Sequence, residues 1–390
     1  MFLEPSEKVT FWTTVAWTLP FDLGRFIDPI LRRISEVKMR NALMETTVVN
    51  FTNVSSLVVV DGCGPSSKTR PGPLLLVNAY AACASNLRTL SLYAMSANFN
   101  SLFPPNASIL TSLEGVSFTF SPRDGSSADP EAASTFLQAV ASTLTTLNIS
   151  FNTDTSDEPS LLLQRFSRQR TFPKLTTFSL FHSEPLASPS PTLIQFLNQH
   201  ADTLKCLSLQ HARTSPFGSQ WPNDLDPSFV PVLPHLETLN IRSGSSYRNI
   251  QESASSEGLD AARDYIQHSR GTLTTLGLTH CSFTLHDLSM LLDFLGRGFS
   301  GNTEGVGLRK LDVTVQILSP QVLDMLAEKL PRLAKLKVNF ENLRSNDSGD
   351  IPPWTGESGR AGLEDLTHEV QLFFVVLFSS ILTFYFSWMA

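Results

Sequence analysis

The sequence predicts an α/β solenoid, a horseshoe-type stack with parallel strands inside and helices outside, plus an apolar helix at the C-terminus. Three observations predict it. A six-residue phrase recurs: Leu, two polar or small residues, an apolar residue, a polar residue, an apolar residue. In four copies the same apolar pair stands at the same distance before the phrase. Each copy ends in period-2 alternation, which a half-buried strand requires.

The copies are LRTLSL from Leu87, LEGVSF from Leu113, LTTLNI from Leu144, LTTFSL from Leu175 and LKCLSL from Leu204. They continue as LETLNI from Leu236, LTTLGL from Leu273, LRKLDV from Leu308 and LAKLKV from Leu333, with a weaker VSSLVV from Val54. Starts are 25 to 37 residues apart. The preceding pairs are Phe136-Leu137, Phe196-Leu197, Tyr265-Ile266 and Met325-Leu326, eight and seven residues before the first Leu. A constant offset implies a helix packed in constant register on the following strand. One such unit cannot bury its apolar side, so units must stack.

In these phrases the chain resembles the leucine-rich-repeat family over roughly residues 50 to 345, with a repeat length nearer the intracellular helical classes. It departs from that family in its irregular spacing. Only Asn152 and Cys281 occupy the Asn/Cys place three residues past the last apolar strand position. The domain reading is residues 47–344 for the repeats, 345–362 for a flexible linker, and 363–390 for a truncated repeat and membrane candidate. Stretches 153–160, 183–191, 243–258 and 345–360 are rich in Ser, Pro, Gly and Asp and read as loops.

Residues 1–46 lack the phrase. In Leu19-Pro20-Phe21-Asp22-Leu23, followed by Ile27 and Leu31, the spacing places Leu23, Ile27 and Leu31 on one helical face. This opening resembles the first helix of an F-box. Divergent F-box/leucine-rich-repeat proteins use that box to dock on the linker subunit of a cullin ubiquitin ligase, and the resemblance implies such a partner here. Residues Arg32 to Val37 lack the apolar, Trp-containing second half. The other reading of 1–46 is a helical cap on the repeats.

From Val370 to Ala390 there is no charge. About 18 or more such residues make a transmembrane candidate. Val370, Phe373, Phe378, Leu382 and Trp388 would face lipid, with Tyr385 and Trp388 near an interface. The expectation is insertion after synthesis, with the repeats left cytoplasmic. A buried final strand and helix, or a misread gene end, are the alternatives.

Composition excludes several classes. Charged residues are 17% and the formal net charge is -7, so there is no nucleic-acid footprint of clustered Lys and Arg. Cys63, Cys83, Cys206 and Cys281 form no Cys-x-x-Cys pair and read as reduced, partly buried thiols. The opening Met1 to Glu7 lacks a basic signal start, so the triplets at Asn50, Asn53, Asn106, Asn148 and Asn346 read as chance. Gly62 to Thr69 approaches a phosphate loop, with Ser67 in place of the second Gly. Pro71 and Pro73 argue against the helix such a loop needs. His280 beside Cys281 has no second ligand at metal spacing. No catalytic residue, cofactor or metal is expected.

What remains is surface. The polar positions between the inward ones give Tyr93, Asn148, Ser150, Phe181, Gln210, Asn240, Arg242, Asp312 and Lys337 as a protein-binding concave face. Most of that ladder is small and neutral. Charge enters late, at Lys310, Asp312, Lys335 and Lys337. Tyr93, Phe181 and Arg242 are the expected anchors, since aromatic and Arg side chains dominate hot spots. The expected function is a non-catalytic interaction module, either the substrate-recognition part of an F-box-type adaptor or a membrane-tethered scaffold.

Overall fold

A computed structural model describes residues 9–12, 54–60, 73–95, 102–104, 106–121, 130–151, 158–168, 172–182, 191–213, 231–245, 265–269, 271–296, 307–343 and 368–373. They fall into two compact α/β units, Met1–Leu175 and Thr176–Ala390.

In the first unit five strands run parallel in chain order: β1 (Val9–Trp12), β2 (Ser56–Val60), β3 (Thr89–Met95), β4 (Gly115–Ser121) and β5 (Thr146–Phe151). Helices α1 (Pro73–Cys83) and α2 (Pro130–Val140) and a 3-10 turn (Ala107–Ile109) connect them, and α3 (Glu158–Arg168) follows β5. In the second unit β6 (Thr177–His182), β7 (Cys206–Arg213), β8 (Thr238–Ser245), β9 (Thr275–Phe283), β10 (Lys310–Leu318) and β11 (Lys335–Leu343) are again parallel. Its helices are α4 (Pro191–Gln199), a short turn over 265–269, α5 (Leu285–Gly296) and α6 (Pro320–Lys329).

The repeat is written into the backbone. The first apolar residue of every copy, from Val54 through Leu333, is buried. In eight copies the carbonyl of the next residue accepts two successive N–H groups from the following copy, using both of its lone pairs. In the first unit Arg88 O accepts from Glu114 N and Gly115 N, both at 2.8 Å. In the second, Glu237 O accepts from Thr274 N and Thr275 N at 2.8 and 3.0 Å, and Arg309 O from Ala334 N and Lys335 N at 2.8 and 2.9 Å. The intervals of 37 and 25 residues give the same pairing, because extra chain leaves after the strand rather than within it.

Helices pack on the inward strand face through large side chains. In the first unit the Phe118 and Phe136 rings lie 6.2 Å apart and Phe103 stacks on Phe136 at 5.0 Å. In the second, Phe196 of α4 meets Phe178 of β6 at 4.7 Å and is itself fully buried. Phe136, Leu137, Leu197, Tyr265, Ile266 and Leu326 are buried as well, while Met325 is half-buried. Pro73, Pro130, Pro191 and Pro320 each open a helix. At that position the missing N–H has no intrahelical partner to lose and the fixed φ is already helical.

Three expectations are corrected. Pro73 does not block a helix after Gly62–Thr69 but starts one, for the reason just given; the loop itself lies outside the described residues. Helix α3 begins at Glu158, inside a stretch read as loop, because Leu162, Leu163 and Phe166 supply a buried stripe. Within 1–46, residues Val9–Trp12 add a strand beside β2, while the helix expected over Leu23, Ile27 and Leu31 lies outside the described residues. Val-Thr-Phe-Trp is β-branched and aromatic, and it pairs an edge otherwise open. At the other end, Val370 and Phe373 lie in β12 (His368–Phe373), antiparallel to β11, rather than in a membrane helix. Pairing there satisfies the free edge of β11.

Among the described residues no helix is long and apolar enough to cross a membrane. Leu23, Ile27, Leu31, the linker 345–362, Phe378, Leu382 and Trp388 lie outside the described residues.

Candidate functional site

Strand alternation sends three side chains per repeat to the face turned away from the helices. On β3 the buried residues are Leu90, Leu92 and Ala94, and Thr89, Ser91 and Tyr93 are the alternates. In the first unit this face carries Ser56, Val58, Val60, Thr89, Ser91, Tyr93, Gly115, Ser117, Thr119, Thr146, Asn148 and Ser150, with no charge at all. Tyr93 is its most prominent member, 38% exposed; Asn148 and Ser150 are half-buried.

The second unit differs. Phe181, Gln210 and Asn240 are half-buried and Arg242 is exposed. Toward β10 and β11 the face becomes basic. Lys310 and Lys335 stand directly in register and both are exposed. The next outward pair is Asp312 and Lys337, with Lys337 Nζ 3.9 Å from Asp312 Oδ2. Asn339 Nδ2 also donates to Asp312 Oδ1 at 3.5 Å. Among the side chains of β6 to β11 that the structure describes, four cations (Arg242, Lys310, Lys335, Lys337) face one anion (Asp312), in a chain of net -7; Glu341 stands at the alternate position after Asn339, six residues along β11 from Lys335. Glu369 of β12 stands in register with Asn339, two positions along β11 from Lys337.

The middle of this face is shaped by Gly277. It pairs with Asn240, whose side chain occupies the space a β-carbon on Gly277 would need. Just beyond it, β9 shifts register: Val313 pairs with Leu278 but Thr314 pairs with Ser282, leaving Thr279, His280 and Cys281 as a bulge against β10. Such insertions re-aim side chains and sharpen local twist. Thr279 is only 8% exposed and its hydroxyl has no hydrogen-bond partner among the described residues.

The structure therefore places the expected face residues on sheet surfaces but divides them, with Tyr93, Asn148 and Ser150 in one unit and the other six in the second. Lys310 and Lys335 belong to the same surface and were not among the expected binding residues. The sequence already marked both as late charge on this ladder. The bulge at Thr279 has no such signal, since nothing in LTTLGLTHCSF marks where pairing slips.

Elsewhere the chemistry is quiet. Burial pushes the Cys83 thiol up to about 11, and its Sγ donates to Ala79 O at 2.6 Å, so it is an inert core group. Among the described residues no group of three or more His, Cys, Asp or Glu is placed to hold a metal ion.

No family model and no curated protein sequence matches the chain. Among solved structures it is similar to a chain in the crystal structure of the Rad7 and Elc1 complex in yeast, at 14% identity and a TM-score of 0.33. That match covers 83% of this chain and 94% of the other. A likeness of that size carries no argument about function.

Proposed function

We propose that the chain is a non-catalytic protein-interaction module built from leucine-rich-repeat stacks, binding its partner on the helix-free sheet faces. One observation carries this reading. Among the described residues, each strand from β2 to β11 commits alternate positions to the core, and the remaining ones form mostly polar rows at the surface of a hydrogen-bonded frame. Rigid sheets present side chains at fixed spacing, which lowers the ordering cost of binding. Tyr93, Phe181 and Arg242 are the anchors.

The test is photo-cross-linking from a benzophenone amino acid placed in turn at Tyr93, Gln210 and Arg242, with Glu131 on α2 as the control position. Specific products from face positions but not from Glu131 support the module. Equal labelling everywhere, or none, refutes it.

A narrower reading makes the module the recognition part of a ubiquitin-ligase adaptor, supported by the spacing of Leu23, Ile27 and Leu31. Replacing all three with Asp is expected to abolish association with the cullin-ligase linker subunit and leave the repeats folded. Loss of folding instead assigns that face to the core of the protein. The companion reading is a cytoplasmic protein tethered by residues 374–390, supported by the lack of charge there. Comparing the full chain with one ending at Phe373, which keeps β12, by carbonate extraction decides it: equal release of both forms excludes the tether.

A further inference from the structure

We infer that the sheet face of the second unit takes an extended acidic segment of a partner protein, its carboxylates held by Lys310, Lys335 and Arg242. This rests on the interaction-module reading and names the chemistry of its partner.

The first support is an unfavourable arrangement. Lys310 and Lys335 are neighbours in register on adjacent strands, and like charges directly opposite destabilise a sheet. Neither makes an ion pair among the described residues, nor does Arg242. The only acid whose side chain the structure places on this face between β6 and β11 is Asp312, and it is engaged by Lys337 and Asn339. A pattern that costs folding stability and has no counter-charge among the described residues is complementary to an external one. One position earlier along β7 and β8 the chain does use internal pairing: Lys205 Nζ lies 2.9 Å from Glu237 Oε1.

The second support is spacing. Arg242 stands on β8 two strands from Lys310 and four residues further along its strand. With strands about 4.8 Å apart and about 3.3 Å per residue, the separation is roughly 16 Å, the span of about five extended residues. Between them the face carries Thr275, Gly277 and Asn240, none of which projects a long side chain across the path. Nucleic acid is the poorer fit. Single strands need successive aromatic platforms as well as cations, and the described face of this unit offers Phe181 alone.

The experiment uses the full chain and fluorescence anisotropy with three labelled probes. These are a ten-residue peptide of alternating Glu and Ser, the same peptide with Gln for Glu, and a ten-nucleotide oligo-dT. The Glu peptide is expected to bind at least tenfold more tightly than the Gln peptide, with affinity falling as salt rises. The K310E/K335E variant is expected to lose at least tenfold while melting close to the parent, since one exposed like-charge pair replaces another and no core contact is touched. Equal binding of Glu and Gln peptides, full retention by K310E/K335E, or stronger binding of oligo-dT overturns the inference. A partner cross-linked through Arg242 and kept by K310E/K335E overturns it too, while leaving the interaction module standing.

Discussion

The side chain of Asn240 lies over the α-carbon of Gly277, in the space any other residue would fill with its own β-carbon. The two are in-register partners on β8 and β9, so the contact is fixed by the ladder itself.

A double-mutant cycle tests that relationship. Gly277→Ala alone is expected to cost about 1–3 kcal/mol, because it overpacks against Asn240. In an Asn240→Ala background the same change should be neutral or stabilising by about 0.5 kcal/mol, since Gly in a strand is itself unfavourable. Urea midpoints for the four proteins give the coupling; simple additivity would remove the contact.

Phe196 is the core residue on which the register of α4 depends. It is fully buried against Phe178 and His200, with ring centroids 4.7 Å away in each case. Phe196→Ala is expected to cost about 3–5 kcal/mol in chemical denaturation. A loss below about 1 kcal/mol would mean that the pocket is not packed as described.

The start of α5 is a capping box. Thr284 Oγ1 accepts from Asp287 N at 3.1 Å, and Thr284 N donates back to Asp287 Oδ2 at 3.2 Å. Thr284→Ala should lower stability by about 1 kcal/mol. Thr284→Ser, which keeps the oxygen, should restore most of it. Equal effects of Ala and Ser would show that the methyl group rather than the cap matters.

Cys83 supplies a pH dependence. Its ordinary value of 9.0 is raised to about 11 by burial in the folded protein. The unfolded chain therefore loses this proton first. The stabilisation is complete below about pH 9 and declines as pH rises toward 11. Tyr80 is raised from 10.0 by burial as well, so the comparison must be with Cys83→Ala. That variant should show a shallower decline over pH 9 to 11. Native Cys83 should also resist maleimide at pH 8 until denaturant is added.

Much of the fold was legible because repetition made one local rule visible many times. The first Leu of each copy is buried, and the Phe196-Leu197 and Tyr265-Ile266 pairs are buried at the expected offset. The ends were less legible. Val9–Trp12 and His368–Phe373 carry no phrase, and each becomes a strand by pairing with an existing edge. Sheet edges recruit residues through backbone groups, which every sequence possesses, so such pairings leave little trace in side-chain pattern.

By itself, then, the sequence determined the period, the inward positions and the polar rows, since those follow from apolar spacing along one strand or helix. Aligned phrases already set Lys310 opposite Lys335 and Asn240 opposite Gly277, and in eight copies the carbonyl after the first apolar residue holds that register by accepting two N–H groups from the next repeat. Only the tertiary structure decided that the Asn240 side chain lies over Gly277, that the register slips at Thr279 and that Val9–Trp12 and His368–Phe373 pair with the outer strands, because those depend on contacts between strands rather than on spacing along one.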